Sequence, residues 1–153
     1  MSEGTLGGRV ALVTGAASGI GRATALELAS SGVGVAGVDI DAVGLAETAR
    51  LVEERGARAL AIDADLSRLG TVEPIVEQVV AELGPVDILV NAAGVFGQDN
   101  FLATTLEDLD WVFAINLRAL FLLMQSVAAR MVERGEGGRI VNVTSSSAFR
   151  AWA

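Results

Sequence analysis

Residues 9–21, RVALVTGAASGIG, decide the fold of this chain, because a short apolar run leads directly into a glycine-rich turn. The run over residues 9–14 is typical of a buried strand. Helical periodicity follows over residues 18–31, and Gly32 marks its end. A strand, a glycine-rich turn and a helix in this order predict a loop that binds phosphate groups.

Each glycine of this turn has a separate task. Gly15 permits the tight turn, Gly19 lets the backbone approach a pyrophosphate, and Gly21 lets the helix and the strand pack closely. The start of the helix adds N–H donors and the positive end of the helix dipole. The other turn residues predicted to contact the ligand are Ala17, Ser18 and Ile20. The alternative is a glycine-rich turn that binds nothing.

Strands and helices alternate along the rest of the chain. Further strands are predicted over residues 33–39, 57–62, 86–90 and 139–144. Helices are predicted over residues 41–55, over residues 67–83 with Ser67 as N-cap, and from 105 or 106 to 134. This order predicts one α/β domain over residues 1–153. The expected architecture is a Rossmann-type doubly wound parallel sheet, truncated after its fifth strand.

The composition argues against several classes of protein. The net charge is −8, so binding to nucleic acid is not expected. The absence of Cys and His removes disulfides and the usual zinc ligands, so no metal site is expected. Residues 119–129 form the most apolar stretch, and eleven residues are too few to span a membrane. No signal peptide is recognisable at residues 1–8, and a cytoplasmic protein without membrane contact is predicted.

A carboxylate ends the second predicted strand. Asp39 lies 18 residues after Gly21, where it can accept two hydrogen bonds from an adenosine ribose and repel a 2′-phosphate. This arrangement predicts NAD(H) rather than NADP(H) as the cofactor. Asp41 is a weaker candidate, because its position favours capping of the next helix. The alternative for Asp39 is a solvated strand end that contacts no ligand.

Four motifs together resemble those of the short-chain dehydrogenase/reductase family. The turn has three residues between its first two glycines, as in the family's TGxxxGIG motif. The stretch NAAG at residues 91–94 resembles the family's NNAG-type motif, and Asn116 resembles the Asn of its fourth helix. Residues 140–145, IVNVTS, resemble the strand that delivers the catalytic Ser. The resemblance covers essentially the whole chain, in order.

The resemblance implies cofactor contacts for further residues. The family's NADP enzymes usually carry a basic residue where this chain has Ser18 or Ile40, which favours NAD. Asp65 would receive the adenine amino group beside the Leu66 backbone. Asp63 is close enough in sequence to take that place, and Asp65 could instead be a helix cap.

The NAAG stretch has two implied tasks. Asn91 would hold the sheet and the cofactor loop together, and Gly94 would let the backbone pass under the cofactor. Ala92 and Ala93 would lie along the cofactor between them. The alternative is that the two alanines only shape the turn and contact no ligand.

Two residues are assigned to catalysis by the resemblance. Asn116 is expected to be buried, to kink its helix and to support a water that links the family's catalytic Lys to solvent. The alternative is a core amide whose hydrogen bonds are satisfied. Ser145 would orient the substrate oxygen, with Ser146 and Ser147 as alternates and Thr144 less favoured.

The implied reaction is NAD(H)-dependent oxidation of a secondary alcohol or reduction of a ketone. The family's catalytic Tyr and Lys are absent from these 153 residues, so the chain alone is expected to be inactive. It is expected to be the front part of a longer enzyme, a short non-catalytic protein that binds NAD or a partner, or a chain whose site a second chain completes. The loop at residues 95–104, with Phe96, Gln98, Asp99 and Asn100, would border the substrate. The helix Leu106–Arg134 is apolar nearly all round, which predicts a homodimer or homotetramer.

Overall fold

The computed structural model describes residues 6–97 and 100–145, in which strands and helices alternate. The strands are β1 (Val10–Thr14), β2 (Gly34–Asp39), β3 (Ala59–Asp63), β4 (Ile88–Asn91) and β5 (Arg139–Asn142). The helices are α1 (Gly19–Ser30), α2 (Ala42–Glu53), α3 (Val72–Glu82), α4 (Leu106–Phe113) and α5 (Leu120–Arg134). A π-helical segment, Ala114–Ala119, joins α4 to α5.

The five strands form one parallel sheet in the order β3-β2-β1-β4-β5. The predicted doubly wound sheet is therefore confirmed. From β1 the chain builds β2 and β3 on one side, and then crosses back to build β4 and β5 on the other. This reversal leaves a crevice at the carboxyl ends of β1 and β4, which is where open α/β sheets bind their ligands.

Successive residues of β1 face opposite sides of the sheet, as the two-residue period of a strand requires. Val10 and Leu12 pack into a cluster with α3 and α5, whereas Ala11 and Val13 pack into a second cluster with α1 and α2. All five residues of β1 are buried. Because helices cover this central strand on both faces, the position of the turn that follows it is well determined.

The third helix begins later than its sequence predicts. Its N-cap is Thr71 rather than Ser67, and the helical residues run from Val72 to Glu82. The Ser67 backbone N–H and hydroxyl both donate to Asp65 Oδ1, at 2.9 and 2.7 Å. Gly70 then adopts a φ of +80°, which an α-helix does not permit. The prediction of Ser67 as N-cap was wrong because this side chain closes a local turn at Asp65.

Leu106–Arg134 is one continuous helix of 29 residues, formed by α4, the π-helical segment and α5. On the inner face of this helix, every fourth residue is buried against the sheet and α3. These residues are Ala119, Leu123, Val127 and Met131. By length and apolar composition alone this helix could cross a membrane, but the core helix of a water-soluble protein passes the same test. Here one face of the helix covers the sheet.

The other side of this long helix carries exposed apolar side chains. Four of them recur at the same spacing of four, and each is at least 42% exposed: Leu109, Phe113, Leu117 and Phe121. The sequence predicts a helix that is apolar nearly all round, and the structure shows that its outer stripe is uncovered in the described part of the chain. We call these four residues the outer stripe.

Asp87 joins four elements at the amino edge of the sheet, opposite the crevice. Its Oδ2 accepts from the Val10 N–H at 2.9 Å, and its Oδ1 accepts from Arg134 Nη2 at 2.7 Å. The Asp87 backbone carbonyl accepts from the Arg139 N–H at 2.9 Å. The side chains of Asp87 and Arg134 are only 15% and 18% exposed, so solvent screens their ion pair weakly. One carboxylate therefore ties β1, β4 and α5 together.

Replacing Asp87 with alanine is expected to lower the free energy of unfolding by about 2–3 kcal/mol, because the Val10 N–H loses its acceptor and Arg134 exchanges its shielded partner for the exposed Glu136. Urea denaturation measures this loss. Glu47→Ala is the matched control, since Glu47 pairs with Arg50 on the exposed surface of α2. Its urea midpoint should equal that of the wild type. Equal midpoints for the two variants would contradict the role given to Asp87.

Candidate functional site

A cavity of about 580 Å³ opens at the carboxyl edge of the sheet, and we call it the carboxyl-edge crevice. Its volume lies within the range of about 300–1,000 Å³ that is usual for ligand pockets. The crevice extends from the turn after β1 to the loops after β2, β3 and β4, with the π-helical segment on its far side. Its lining residues are Gly15, Ser18, Gly19, Ile20, Gly21, Val38, Asp39, Ile40, Ala64, Asp65, Leu66, Ala92, Ala93, Gly94, Val95, Trp111 and Ile115.

The turn after β1 is joined to the loop after β4 by Thr14. This side chain is fully buried, and its Oγ1 accepts from the N–H groups of Ala92 and Ala93 at 3.2 and 3.1 Å. Gly15 lies against the same loop with a φ of +68°, and a Cβ there would come within 2.8 Å of the Ala93 nitrogen. Gly15 is therefore required both by its backbone conformation and by close packing.

The other two glycines of the turn shape the floor of the crevice. A Cβ on Gly21 would lie 2.0 Å from the Gly15 carbonyl oxygen, so α1 packs on the turn backbone to backbone. Gly19 has a φ of +50°, and a Cβ there would have no neighbour within 4 Å. The start of α1 thus borders open space, with room for a ligand to approach its backbone.

Asp39 is held at the lip of the crevice by two backbone donors. Its Oδ2 accepts from the Ala17 N–H at 2.9 Å, and its Oδ1 accepts from the Asp41 N–H at 3.0 Å. Ala17 itself is buried and takes part through its backbone. Asp41 caps α2 by accepting from the Gly44 N–H, in agreement with its predicted capping role. Ile40 is 68% exposed beside Asp39 and places no positive charge near it.

Asp65 lies across the crevice, on the loop after β3. The hydroxyl and N–H of Ser67 both donate to its carboxylate, and these hydrogen bonds lower the pKa of Asp65 below its ordinary value. Asp65 therefore stays ionised, and its carboxylate is available as an acceptor. Leu66 is buried beside it. Asp63 pairs with Asp39 in the sheet register and does not line the crevice, which favours Asp65 between the two candidates.

In the loop after β4, one residue has a structural role and three residues line the crevice. The buried Asn91 donates from Nδ2 to Asn142 Oδ1 at 2.8 Å and so ties β4 to β5, away from the crevice lining. Ala92, Ala93 and Gly94 line the crevice. A Cβ on Gly94 would have only ordinary van der Waals contact with this chain, so protein packing does not explain the glycine. The open space in front of it fits a ligand that passes close to the backbone.

Asn116 is exposed in this chain, so the expectation that it is buried in its helix was wrong. It lies in the π-helical segment and turns its amide toward the loop after β4. Its Oδ1 accepts from the Val95 N–H at 2.8 Å, and its Nδ2 donates to the Val95 carbonyl at 2.6 Å. Asn116 thereby holds the loop that forms one wall of the crevice. The wider turn of a π-helix agrees with the predicted interruption of a regular helix.

Ser145 follows β5 at the carboxyl edge, where it is exposed and does not line the crevice. Thr144 is exposed as well. The alternates Ser146 and Ser147 lie outside the described residues, as do Gln98 and Asp99 of the loop predicted to border the substrate. The structure therefore places the Ser candidate on the expected edge of the sheet, next in order after the β4 loop.

The crevice also contains residues that the sequence did not single out. Val38 and Ala64 precede Asp39 and Asp65. Val95, by contrast, begins the loop at residues 95–104 that was predicted to border the substrate. Trp111 and Ile115 come from the long helix, and Trp111 is 44% exposed. Their spacing of four places them on one face of the helix, and this periodicity was the available signal.

Comparison with known proteins identifies the family of this chain. The model of the family described as short chain dehydrogenase matches residues 9–153. D-threitol dehydrogenase from Mycolicibacterium smegmatis is 45% identical over 144 residues, which cover 94% of this chain and 55% of that protein. The chain spans 54–58% of the length of four curated relatives that it matches.

Solved structures share the fold and differ in the cofactor that they contain. NAD+-bound xylitol dehydrogenase superposes with a TM-score of 0.89 at 32% identity, covering 97% of this chain and 57% of that chain. Blue fluorescent protein from a metagenomic library, in complex with NADPH, superposes with a TM-score of 0.86 at 37% identity, covering 97% and 60%. A nicotinamide dinucleotide is therefore the class of ligand that this fold accommodates.

Proposed function

Because the chain belongs to the short chain dehydrogenase family, we propose that its carboxyl-edge crevice binds NAD(H) in preference to NADP(H). We also propose that the intact enzyme oxidises a secondary alcohol or reduces a ketone. The observation that carries the cofactor preference is the orientation of Asp39. Two backbone N–H groups hold its carboxylate at the lip of the crevice, and Ser18 and Ile40 add no positive charge there.

The described residues fit a dinucleotide along the whole crevice. Gly15, Ser18, Gly19, Ile20 and Gly21 would cradle the pyrophosphate at the start of α1. The Asp39 carboxylate would accept hydrogen bonds from the hydroxyls of the adenosine ribose. In NADP the ribose carries a 2′-phosphate, which this carboxylate would repel. The adenine would lie between Ile40, Asp65 and Leu66, with its amino group donating to Asp65. The nicotinamide half would lie along Ala92, Ala93 and Gly94.

The bound nicotinamide supplies the hydride chemistry of the proposed reaction. This chain's own part is to bind and orient the cofactor and to place Ser145 at the same edge of the sheet. A Ser hydroxyl can orient a substrate oxygen by hydrogen bonding. Asn116 would keep the β4 loop in place through Val95. D-threitol dehydrogenase, by its name, acts on a polyol, which supports a secondary alcohol as the substrate class.

Titration of the 153-residue chain with NADH and NADPH tests this proposal. Isothermal calorimetry should show one saturable site with a dissociation constant for NADH at least about tenfold below that for NADPH, since one repelled phosphate is worth roughly 1.4 kcal/mol or more. Binding of neither nucleotide at millimolar concentration would contradict the proposal. Tighter binding of NADPH would contradict the role assigned to Asp39.

A second candidate is a non-catalytic protein that binds NAD or a partner. The observation that favours it is the exposed apolar surface of the outer stripe, which a partner could cover. This candidate predicts NADH binding without turnover of any secondary alcohol. The exposed outer stripe supports assembly through the helix Leu106–Arg134, as a homodimer or homotetramer.

A further inference from the structure

We propose that Arg22 is a positioning residue that sets the preference for NAD(H) over NADP(H) by fixing the direction of the Asp39 carboxylate. This inference rests on the proposed cofactor function. It starts from a half-buried guanidinium that lies beneath the turn after β1 and does not line the crevice. Arg22 therefore has no direct route to a bound nucleotide, and any effect on selectivity must pass through the backbone.

Arg22 joins two segments that are distant in sequence. Its Nη2 donates to the Ala17 carbonyl in the turn and to the Gly44 carbonyl in the first turn of α2, the latter at 3.0 Å. Its Nε donates to Thr48 Oγ1 at 2.9 Å. The Thr48 hydroxyl in turn donates to the Ala16 carbonyl at 2.8 Å. One planar guanidinium thus connects the phosphate-binding turn to the start of α2.

These are the two segments that orient Asp39. The Ala17 N–H donates to one carboxylate oxygen and the Asp41 N–H to the other. Asp41 is itself held by the Gly44 N–H at 3.0 Å, and a Cβ on Gly44 would lie 2.9 Å from the Ala17 carbonyl oxygen. The distance between these two N–H donors therefore depends on the relative position of the turn and α2. Arg22 fixes that position by bonding to both segments.

The test compares dissociation constants for NADH and NADPH in the full chain carrying Arg22→Ala or Arg22→Lys. The quantity of interest is the ratio of the NADPH constant to the NADH constant. We expect this ratio to fall by about three- to tenfold in both variants, as loss of one or two backbone anchors implies. Lysine keeps the charge but not the planar fork, so it should not restore the ratio, and it remains informative if the alanine variant does not fold.

The direction in which the ratio changes distinguishes a positioning role of Arg22 from direct electrostatic attraction of the nucleotide by its charge. If Arg22 acted only as a nearby positive charge, its removal would weaken NADPH, which carries an additional phosphate, more than NADH, and the ratio would rise. An unchanged or raised ratio overturns the inference. Arg50→Ala is the matched control, because Arg50 lies on the exposed side of α2 and pairs there with Glu47 and Glu54. If the wild-type chain binds neither nucleotide, both the proposed function and this inference are overturned. If the wild type prefers NADH and both Arg22 variants keep that preference, only this inference is overturned.

Discussion

Replacing Gly21 with alanine is expected to abolish cofactor binding and to lower the free energy of unfolding by about 3 kcal/mol. A Cβ at this position would lie 2.0 Å from the Gly15 carbonyl oxygen. The obstructing atom belongs to the backbone, so no side-chain rotation can relieve the clash. Helix α1 would have to move away from the turn that it shapes. Titration with NADH and urea denaturation measure the two effects.

The matched control for this substitution is Gly56→Ala. Gly56 has a φ of +80°, and a Cβ there would have no neighbour within 4 Å. Its replacement costs about 1–2 kcal/mol through the left-handed backbone alone, and the dissociation constant for NADH should not change. A Gly21→Ala chain that binds NADH with wild-type affinity would show that the turn does not hold the pyrophosphate.

Replacing Asp39 with asparagine is expected to remove the preference for NADH, so that the ratio of the NADPH to the NADH dissociation constant falls at least about tenfold, to near one. Hydrogen bonds to a charged acceptor contribute about 1.5–3 kcal/mol each, and every 1.4 kcal/mol is tenfold in affinity. The amide also loses the charge that would repel a 2′-phosphate. An amide accepts through one atom only, so one of the two donors, Ala17 N–H or Asp41 N–H, loses its partner.

Asp63→Asn provides a closely matched control for that experiment. Asp63 is the register partner of Asp39 on the neighbouring strand and carries the same charge at the same edge of the sheet. It does not line the crevice, so its replacement should leave the ratio unchanged. Equal effects of the two substitutions would mean that the general negative charge of this edge, and not the Asp39 carboxylate, determines the preference.

The central part of the fold and of the crevice was predictable from local sequence. A buried strand, three glycines and a helix over residues 9–21 define the turn, and the structure shows the physical need for Gly15 and Gly21 in atomic contacts. Asp39 was predictable because it ends β2 at the edge where parallel strands deliver their side chains. In each case the information lies within the βαβ unit formed by β1, α1 and β2, where chain geometry leaves few alternatives.

The remaining features depend on contacts that sequence spacing does not reveal. Ser67 is a residue type that commonly caps helices, but its backbone N–H donates to Asp65 two residues earlier. A helix cap and a local turn at this position differ only in backbone angles. Asn116 is a polar residue in an apolar helix, which suggests burial, yet its partner is the Val95 backbone on a loop 21 residues earlier. The Arg22 contacts with α2 likewise need the packed structure, because no periodicity relates these positions.

The most direct test of the central claim is to map where NADH contacts the chain by ¹⁵N–¹H NMR. Titration should shift the backbone resonances of Gly15, Gly19, Asp39 and Asp65 at the carboxyl edge. The resonances of Asp87 and Arg139 at the amino edge should stay in place. This pattern would place the dinucleotide in the carboxyl-edge crevice. Saturable shifts confined to the amino edge or to the outer stripe would contradict the account, and so would the absence of shifts at millimolar NADH.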